Sequence, residues 1–244
     1  MLKNCEVLPF VAMSGNDYHL LAKRIDIWEF SLNLNNLPPL TTGLLDHDER
    51  ERARRFYFPR HQNNFMLTRA MLRVILANYL SLEPSKLAFN YNQFGKPHLN
   101  GTIEFNLSHS GNLVLVAIGS KVPVGIDLEK ITTRSYIDLA SKLFTPHELQ
   151  VLHTMPANLQ SAFFFHVWTQ KEAFAKACGL GLNYPVQNLN VGVNFGTPVT
   201  IKEQNSDWLL MPFVPKVAYR AALCCHPMIQ EFRYINIQNI NLLF

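Results

Sequence analysis

The sequence predicts an α+β fold made of two halves, and three observations lead to this prediction. Apolar residues at helical spacing predict long helices over residues 61–80 and 161–178. Short apolar runs separated by turn residues predict strands around each helix. The order of these elements repeats loosely on either side of Ser120. We therefore expect one half over residues 1–120 and a second half over residues 121–244.

Local signals place the elements of the N-terminal half. Residues 22–34 partly alternate apolar and polar side chains, which is typical of a strand. Asp46 followed by Glu49 forms a capping box that begins a basic helix before the long one. Pro84 marks the end of the long helix. Further strands are predicted over residues 87–91, 103–107 and 112–118.

Similar signals place the elements of the C-terminal half. Residues 122–128 are predicted to form a strand. Thr145, Pro146 and Glu148 combine an N-cap, a proline at the first helical position and a capping glutamate, so a helix begins there. Gly179 follows the second long helix as a C′ residue. Further strands are predicted over residues 189–193, 199–203, 217–225 and 232–237.

Composition limits the class of protein. The chain has 244 residues, of which 48% are hydrophobic and 16% charged, so it can bury a sizeable core. A net charge of +4 favours anionic ligands, but a nucleic-acid binder would show clustered basic runs. The arginines of residues 50–60 are interrupted by acids and aromatics and fit a solvated helix face equally well.

Targeting signals and cysteine usage favour a cytoplasmic protein. The first residues lack the basic and apolar regions of a signal peptide, and no apolar run is long enough to span a membrane. The four cysteines lack CxxC spacing, which argues against a zinc site or a disulfide framework. Buried free thiols in a reducing compartment account for them.

Two carboxylates on one predicted strand indicate a cation site. Asp127 and Glu129 leave the same face of the strand, roughly 6–7 Å apart at the backbone. At an effective dielectric of about 20 their charges repel by about 2 kcal/mol. Mg²⁺ suits such a pair because it takes one or two carboxylates and leaves positions for water and phosphate oxygens. The alternative is a solvated strand edge that bears two acids.

The second long helix carries a further carboxylate and a lysine. Glu172 and Lys176 lie four residues apart, so an ordinary surface ion pair is one interpretation. The helix is heavily apolar, however, and charges on a mostly buried helix are costly unless they are used. Glu172 would then complete a metal site or act as a base, and Lys176 would neutralise a phosphate as a point charge.

Two turn-rich segments add candidate phosphate contacts. Lys96 and Pro97 lie in a turn, and Ser108 and His109 follow a predicted strand. Adjacent strand residues point to opposite faces, so Ser108 and His109 rarely form a nucleophile–base pair. The chain lacks the nucleophile elbow of serine hydrolases and the P-loop of nucleoside triphosphatases. A serine and a histidine at a strand end suit hydrogen bonds to phosphate oxygens.

In order and spacing these segments resemble the Sfp-type 4′-phosphopantetheinyl transferases. The resemblance reaches from about residue 46 to residue 227. It implies two similar α/β halves related by a pseudo-twofold axis, with the active site in the cleft between them. The segments that carry it are Phe94–Pro97, Phe105–Ser110, Gly125–Lys130 and Trp168–Lys176, with Arg54–Tyr57 upstream and Tyr219–Pro227 near the end.

The resemblance also implies a reaction. A serine of an apo acyl or peptidyl carrier protein attacks the β-phosphate of coenzyme A, phosphopantetheine moves to the serine, and 3′,5′-ADP leaves. Mg²⁺, or Mn²⁺ in its place, would be held by Asp127, Glu129 and Glu172. Glu172 would take the serine proton directly or through a metal-bound water, and Lys176 would assist the leaving group.

The remaining contacts to coenzyme A follow from the same resemblance. Its phosphates would be contacted by Lys96, Pro97, Ser108 and His109, and the 3′-phosphate by Arg52. The segment 179–185 would face the carrier protein. Because two halves of one chain form the cleft, a monomer is expected, without nucleic-acid or membrane partners. The alternatives are a metal-dependent nuclease or phosphohydrolase and a noncatalytic module that binds coenzyme A or a carrier protein.

Overall fold

The structure is a computed structural model that describes residues 18–33, 37–132 and 136–238. The described helices are α1 (Thr41–Leu44), α2 (His47–Arg54), α3 (Pro59–Leu80), α4 (Ile137–Leu143), α5 (Pro146–Thr154) and α6 (Ala157–Ala177). The described strands are β1 (Arg24–Ser31), β2 (Asn90–Tyr91), β3 (Pro97–His98), β4 (Ile103–Ser110), β5 (Leu113–Ser120), β6 (Gly125–Lys130), β7 (Val199–Glu203), β8 (Ser206–Phe213), β9 (Tyr219–Cys225) and β10 (Glu231–Ile237). This mixture of helices and antiparallel-rich sheets confirms the predicted α+β class.

Two four-stranded sheets organise the described chain. The first has the order β10-β1-β5-β4, and β10 runs parallel to β1 while the other pairs are antiparallel. The second has the order β6-β9-β8-β7 and is antiparallel throughout. Strands β2 and β3 form a separate short hairpin. Strands β4 and β6 therefore lie at sheet edges, one from each sheet.

The central strands of the two sheets are buried on both faces, so this part of the molecule is layered helix, sheet, sheet, helix. Strand β5 shows this through its period of two. Leu113, Leu115 and Ala117 pack between the sheets, whereas Val114 and Val116 pack with α3 on the other face. Helix α6 covers the outer face of the second sheet in the same way. A strand buried on both faces explains why this segment is almost continuously apolar.

The helix boundaries follow the predicted caps. Asp46 and Thr145 each accept a hydrogen bond from the backbone N–H three residues later, and each closes a full capping box. Gly179 has a φ of 74°, the left-handed conformation expected of a residue after a helix. The predicted helix over residues 161–178 begins earlier, at Ala157, directly after Pro156.

Some strand predictions need correction. Residues 189–193 form no strand, and the predicted strand over 87–91 shrinks to Asn90–Tyr91. Helix α4 and strand β8 were not predicted. Strand β8 contains Pro212, a residue that weakens a strand assignment in the middle of a sheet. Pro212 lies near the end of β8, in the stretch that pairs with β9 alone.

The division into halves at residue 120 remains a prediction, as does the pseudo-twofold relation. Strands β6 to β9 form the second sheet, whereas β10 returns to the first sheet beside β1. Within the described ranges, no helix combines the length and apolar character needed to cross a bilayer. The first 17 residues, where a signal peptide would lie, fall outside the described part of the chain.

Candidate active site

A close approach between β6 and α6 brings the predicted carboxylates together. A Cβ atom added to Gly125 would lie 2.0 Å from Ala173 O and 2.4 Å from Ala177 N, so only glycine allows this contact. The helix backbone therefore rests directly on the first residue of β6. Because Glu172 lies next to Ala173 along the helix, the contact places it beside the strand that carries Asp127.

The alternation along β6 separates acids from core residues as the spacing predicts. Ile126 and Leu128 are buried between the two sheets. Asp127 and Glu129 consequently share the opposite face of the strand. Asp127 is only 4% exposed, and this burial argues against the alternative of two freely solvated acids.

The Lys176 ammonium is the cation placed nearest to this face. Its Nζ atom lies 2.6 Å from Asp127 Oδ1, 3.0 Å from Ser108 Oγ and 3.3 Å from Ile126 O. These contacts use the donors of the ammonium and join α6 to both β4 and β6. Lys176 therefore belongs to the carboxylate cluster and is no ordinary surface ion pair with Glu172.

Burial and mutual repulsion perturb the carboxylates. Burial first, and then Asp127 and Glu129, raise the pKa of Glu172 to about 7, while Lys176 acts in the opposite direction. Burial and the nearby Asp127 likewise raise the pKa of Glu129, against the Ser110 hydroxyl and Lys176. The cluster thus carries more negative charge than its cation neutralises, and Glu172 ionises close to neutral pH.

Two carboxylate oxygens of the cluster have no hydrogen-bond partner among the described residues. Asp127 Oδ2 and Glu172 Oε1 are both buried in this state. The described residues contain no group of three histidine, cysteine or acidic side chains that could hold a metal ion by themselves. Mg²⁺ does not require one, because it commonly takes one or two carboxylates and completes its shell with water and phosphate. The buried free oxygens fit such a cation.

The Ser108 hydroxyl is committed to the same cluster. It donates to Asp127 Oδ1 at 2.9 Å and accepts from the backbone N–H of Leu128 at 3.2 Å. It also accepts from Lys176. One donor and two acceptor positions are therefore all occupied. The predicted contact of Ser108 with a phosphate remains a prediction. In the structure this side chain joins Asp127, Lys176 and the backbone of β6.

A cavity of about 830 Å³ opens along β4 and is lined by residues from both faces of the strand, Leu107 and His109 on one and Asn106 and Ser110 on the other. Arg52, Pro97 and His109, all predicted to contact coenzyme A, line it. Burial, and secondarily Lys176, lowers the pKa of His109, so its ring is neutral at pH 7. Ser108 and His109 thus face opposite sides of β4, as adjacent strand residues must.

Sequence reasoning missed several residues of this cavity. Arg60, His61 and Arg69 line it from α3, with Phe65 between them. His61, Phe65 and Arg69 recur every four residues, and this spacing on one helix face was a readable signal. Arg69 also lies 2.5 Å from Glu49 Oε1, so its charge is partly compensated. The cavity wall is therefore basic and aromatic.

The side chain of Lys96 points away from this cavity. Its Nζ atom donates to Val124 O and to Ala177 O, each at 3.2 Å. Burial lowers the pKa of Lys96, with Glu104 acting against it. Beside it, Asn92 Nδ2 donates to Gly179 O at 2.8 Å. The turn therefore clamps the C-terminal end of α6, and the predicted phosphate contact of Lys96 remains a prediction.

The far face of α6 explains why residues 189–193 are not a strand. Lys171 forms a fully buried ion pair with Glu148 and donates to Leu189 O at 2.6 Å. Glu148 Oε1 accepts from Val191 N at 3.1 Å. Helix side chains thus satisfy backbone groups that a neighbouring strand would otherwise pair. The charged residues of the segment Trp168–Lys176 thus have two roles. Glu172 and Lys176 belong to the carboxylate cluster, whereas Lys171 ties α6 to Glu148 and to residue 189.

Comparison with known proteins shows the family of this chain. The model of the 4'-phosphopantetheinyl transferase superfamily matches residues 123–224, and that of the 4'-phosphopantetheinyl transferase N-terminal region matches residues 39–121. The 4'-phosphopantetheinyl transferase HetI of Nostoc sp. is 35% identical over 204 residues, which are 80% of this chain and 85% of the relative. The 4'-phosphopantetheinyl transferase Sfp of Bacillus subtilis is 30% identical over 194 residues, 78% of this chain and 86% of the relative.

The chain therefore belongs to the 4′-phosphopantetheinyl transferase family. It is an enzyme of that class. The cluster on β6 and α6 lies within the part that matches the superfamily model, whereas Arg52 and His109 lie within the part that matches the N-terminal model.

Proposed function

We propose that this enzyme transfers 4′-phosphopantetheine from coenzyme A to a serine of an apo carrier protein and releases 3′,5′-ADP. The observation that carries the proposal is the buried acidic cluster beside a basic cavity. Among the described residues, Asp127 Oδ2 and Glu172 Oε1 have no hydrogen-bond partner, and Lys176 Nζ lies 2.6 Å from Asp127 Oδ1. Phosphoryl transfer needs this combination of positioning and charge neutralisation. No observation favours a nuclease or a noncatalytic module.

Mg²⁺ is the cation that we propose for this cluster, with Mn²⁺ as a substitute. Asp127, Glu129 and Glu172 would hold it, because two of them have free buried oxygens and all three raise the local negative charge. When bound, the ion would neutralise the pyrophosphate of coenzyme A. The excess of carboxylates over cations in the cluster is what makes a divalent ion favourable here.

Glu172 is proposed as the base. Its pKa of about 7 is close to the pH at which the enzyme would work, and a base is most effective near its own pKa. The serine hydroxyl would lose its proton to the Glu172 carboxylate while its oxygen forms a bond to the β-phosphorus. The bond from that phosphorus to the bridging oxygen breaks, and 3′,5′-ADP leaves with the electron pair. Lys176 would stabilise the charge that develops during this exchange.

The cavity beside β4 is proposed to receive the adenosine phosphates. Arg52 lies with its guanidinium 5.3 Å from the centroid of the Phe65 ring and lines the cavity. Neutral His109 can donate one ring N–H to a phosphate oxygen without needing a counter-charge. The segment after α6, residues 179–185, is proposed to contact the carrier protein. A cytoplasmic monomer remains our expectation for the assembly.

Mass spectrometry of apo carrier proteins tests the proposal directly. The protein is incubated with coenzyme A, Mg²⁺ and apo carriers from fatty-acid, polyketide and nonribosomal peptide synthases. We expect at least one carrier to gain one phosphopantetheine group on its serine, and EDTA to suppress this gain. If no carrier of any class were modified, the proposed function would be wrong.

Two aspartate variants sharpen this test. Asp127→Ala removes a proposed metal ligand and is expected to lower transfer by several orders of magnitude while the protein still folds. Asp207→Ala is the matched control, because Asp207 is an exposed strand aspartate on β8. Equal rates for Asp127→Ala and the wild type in Mg²⁺ would refute the metal assignment even if transfer itself were observed.

A further inference from the structure

Side chains rather than backbone groups join β4 to β6. The two strands belong to different sheets and run in the same direction, with a constant offset of 20 residues. Asn106 Oδ1 accepts from Ile126 N at 2.8 Å. Two residues further, Ser108 Oγ accepts from Leu128 N at 3.2 Å. Side chains at every second residue of β4 therefore occupy the backbone donors of the β6 edge.

The serine at the end of this series repeats the arrangement of Ser108. Ser110 Oγ accepts from Lys130 N at 3.0 Å and donates to Glu129 Oε2 at 2.9 Å. Ser108 likewise binds Leu128 N and the carboxylate of Asp127. In both cases one serine hydroxyl accepts from a backbone N–H of β6 and donates to the carboxylate of the β6 residue just before that N–H. Only a group that donates and accepts at one atom can make both contacts.

We propose that Ser110 is a positioning residue that fixes the Glu129 carboxylate for the metal. The inference rests on the proposed function, because Glu129 is a proposed ligand there. A carboxylate that must meet a cation loses less freedom on binding if a hydrogen bond already holds it. Ser110 supplies one such bond from the other sheet, and Trp168 of α6 supplies a second. The orientation of Glu129 therefore depends in part on the contact between the two sheets.

The position of Ser110 separates this role from a structural one. The hydrogen bond from Lys130 N to Ser110 lies in an exposed environment, so water can replace the hydroxyl there. Loss of the hydroxyl should therefore cost little stability. Ser108 does not offer this separation, because its bond to Leu128 N is buried and its loss would strand a backbone donor. Ser110 is the member of the pair on which the inference can be tested.

Mn²⁺ binding is the readout. Free Mn²⁺ is measured by electron paramagnetic resonance while the protein with coenzyme A is titrated, and a titration without protein corrects for the metal bound by coenzyme A. For Ser110→Ala we expect a dissociation constant about tenfold higher than for the wild type. Ser110→Thr keeps a hydroxyl and is expected to stay within about threefold. Ser206→Ala, an exposed strand serine on β8, is the control and should bind as the wild type does.

Each result decides between the claims. If the wild type bound no Mn²⁺, the proposed metal site would be wrong, and the role of Ser110 would fall with it. If the wild type bound and Ser110→Ala bound equally well, only the role of Ser110 would be refuted. Equal weakening by Ser110→Ala and Ser110→Thr would also refute it, because the hydroxyl would not be the determining group. If Ser110→Ala lowered the free energy of unfolding by as much as it weakened the free energy of Mn²⁺ binding, Ser110 would be a structural residue instead.

Discussion

Replacing Glu172 by glutamine is expected to stabilise the metal-free protein above neutral pH. The Glu172 carboxyl ionises near pH 7 in the folded protein, against an ordinary pKa of 4.5. Between these two values the folded state keeps a proton that the unfolded chain has released. Stability therefore falls as the pH rises through this window. Glutamine does not titrate, so the variant avoids the loss.

The size of the effect follows from the same pKa. At pH 8 an ionised Glu172 lowers the free energy of unfolding by about 3 kcal/mol at most. At pH 5.5 the corresponding loss is about 1 kcal/mol. For a protein of this size 1 kcal/mol changes the melting temperature by about 2–4 °C. Glu172→Gln should accordingly melt at most about 6–12 °C above the wild type at pH 8, and the gain should shrink by more than half at pH 5.5.

Thermal unfolding followed by circular dichroism in EDTA measures this difference. Glu83→Gln is the matched control, because Glu83 is an exposed glutamate paired with Lys86. Mg²⁺ with coenzyme A should raise the melting temperature of the wild type more than that of Glu172→Gln. A variant no more stable than the wild type at pH 8, or a gain that is the same at both pH values, would show that Glu172 is not held in an unfavourable charged state.

Three further predictions concern the supports of the cluster. Lys96→Ala should lower the free energy of unfolding, measured in urea, by about 1–3 kcal/mol. Lys86→Ala, on the surface, is the control and should have no effect. A raised KM for coenzyme A at unchanged stability would instead favour a phosphate contact of Lys96. Gly125→Ala should abolish folding, as judged by soluble yield, because the added methyl meets the α6 backbone. Gly43→Ala should be tolerated, because no atom of the described residues lies within 4 Å of its added methyl, and equal yields would refute the close approach. Lys171→Met should cost about 3–5 kcal/mol in the same urea assay because it leaves a buried glutamate unpaired, and a neutral result would contradict the buried ion pair.

Residue types and their spacing predicted the local elements of this enzyme better than the contacts between residues that are distant in sequence. The capping boxes at Asp46 and Thr145 and the shared face of Asp127 and Glu129 depend on neighbours along the chain, and all are confirmed. The clamp formed by Lys96 was not predicted, because its acceptors lie 28 and 81 residues away in sequence. No periodicity in the sequence reports such a distance.

The same limit explains the error over residues 189–193. Their apolar side chains suit a strand, but their backbone groups are taken by side chains of α5 and α6. Tertiary contacts thus override a local preference that is real. The cavity residues of α3 were missed for a different reason. The four-residue spacing of His61, Phe65 and Arg69 was visible, yet a helix face alone does not reveal that it lines a cavity.

The return of β10 to the first sheet affects how this chain can fold during synthesis. The Asp26 carboxylate on β1 is fully buried and is bound by Arg233 of β10 as well as by Arg24. Until residue 233 has left the ribosome, β1 lacks its parallel neighbour and Asp26 lacks one of the two arginines that bind it among the described residues. The sheet that begins first is therefore completed last. The second sheet, formed by residues 125–225, can assemble before the first one closes.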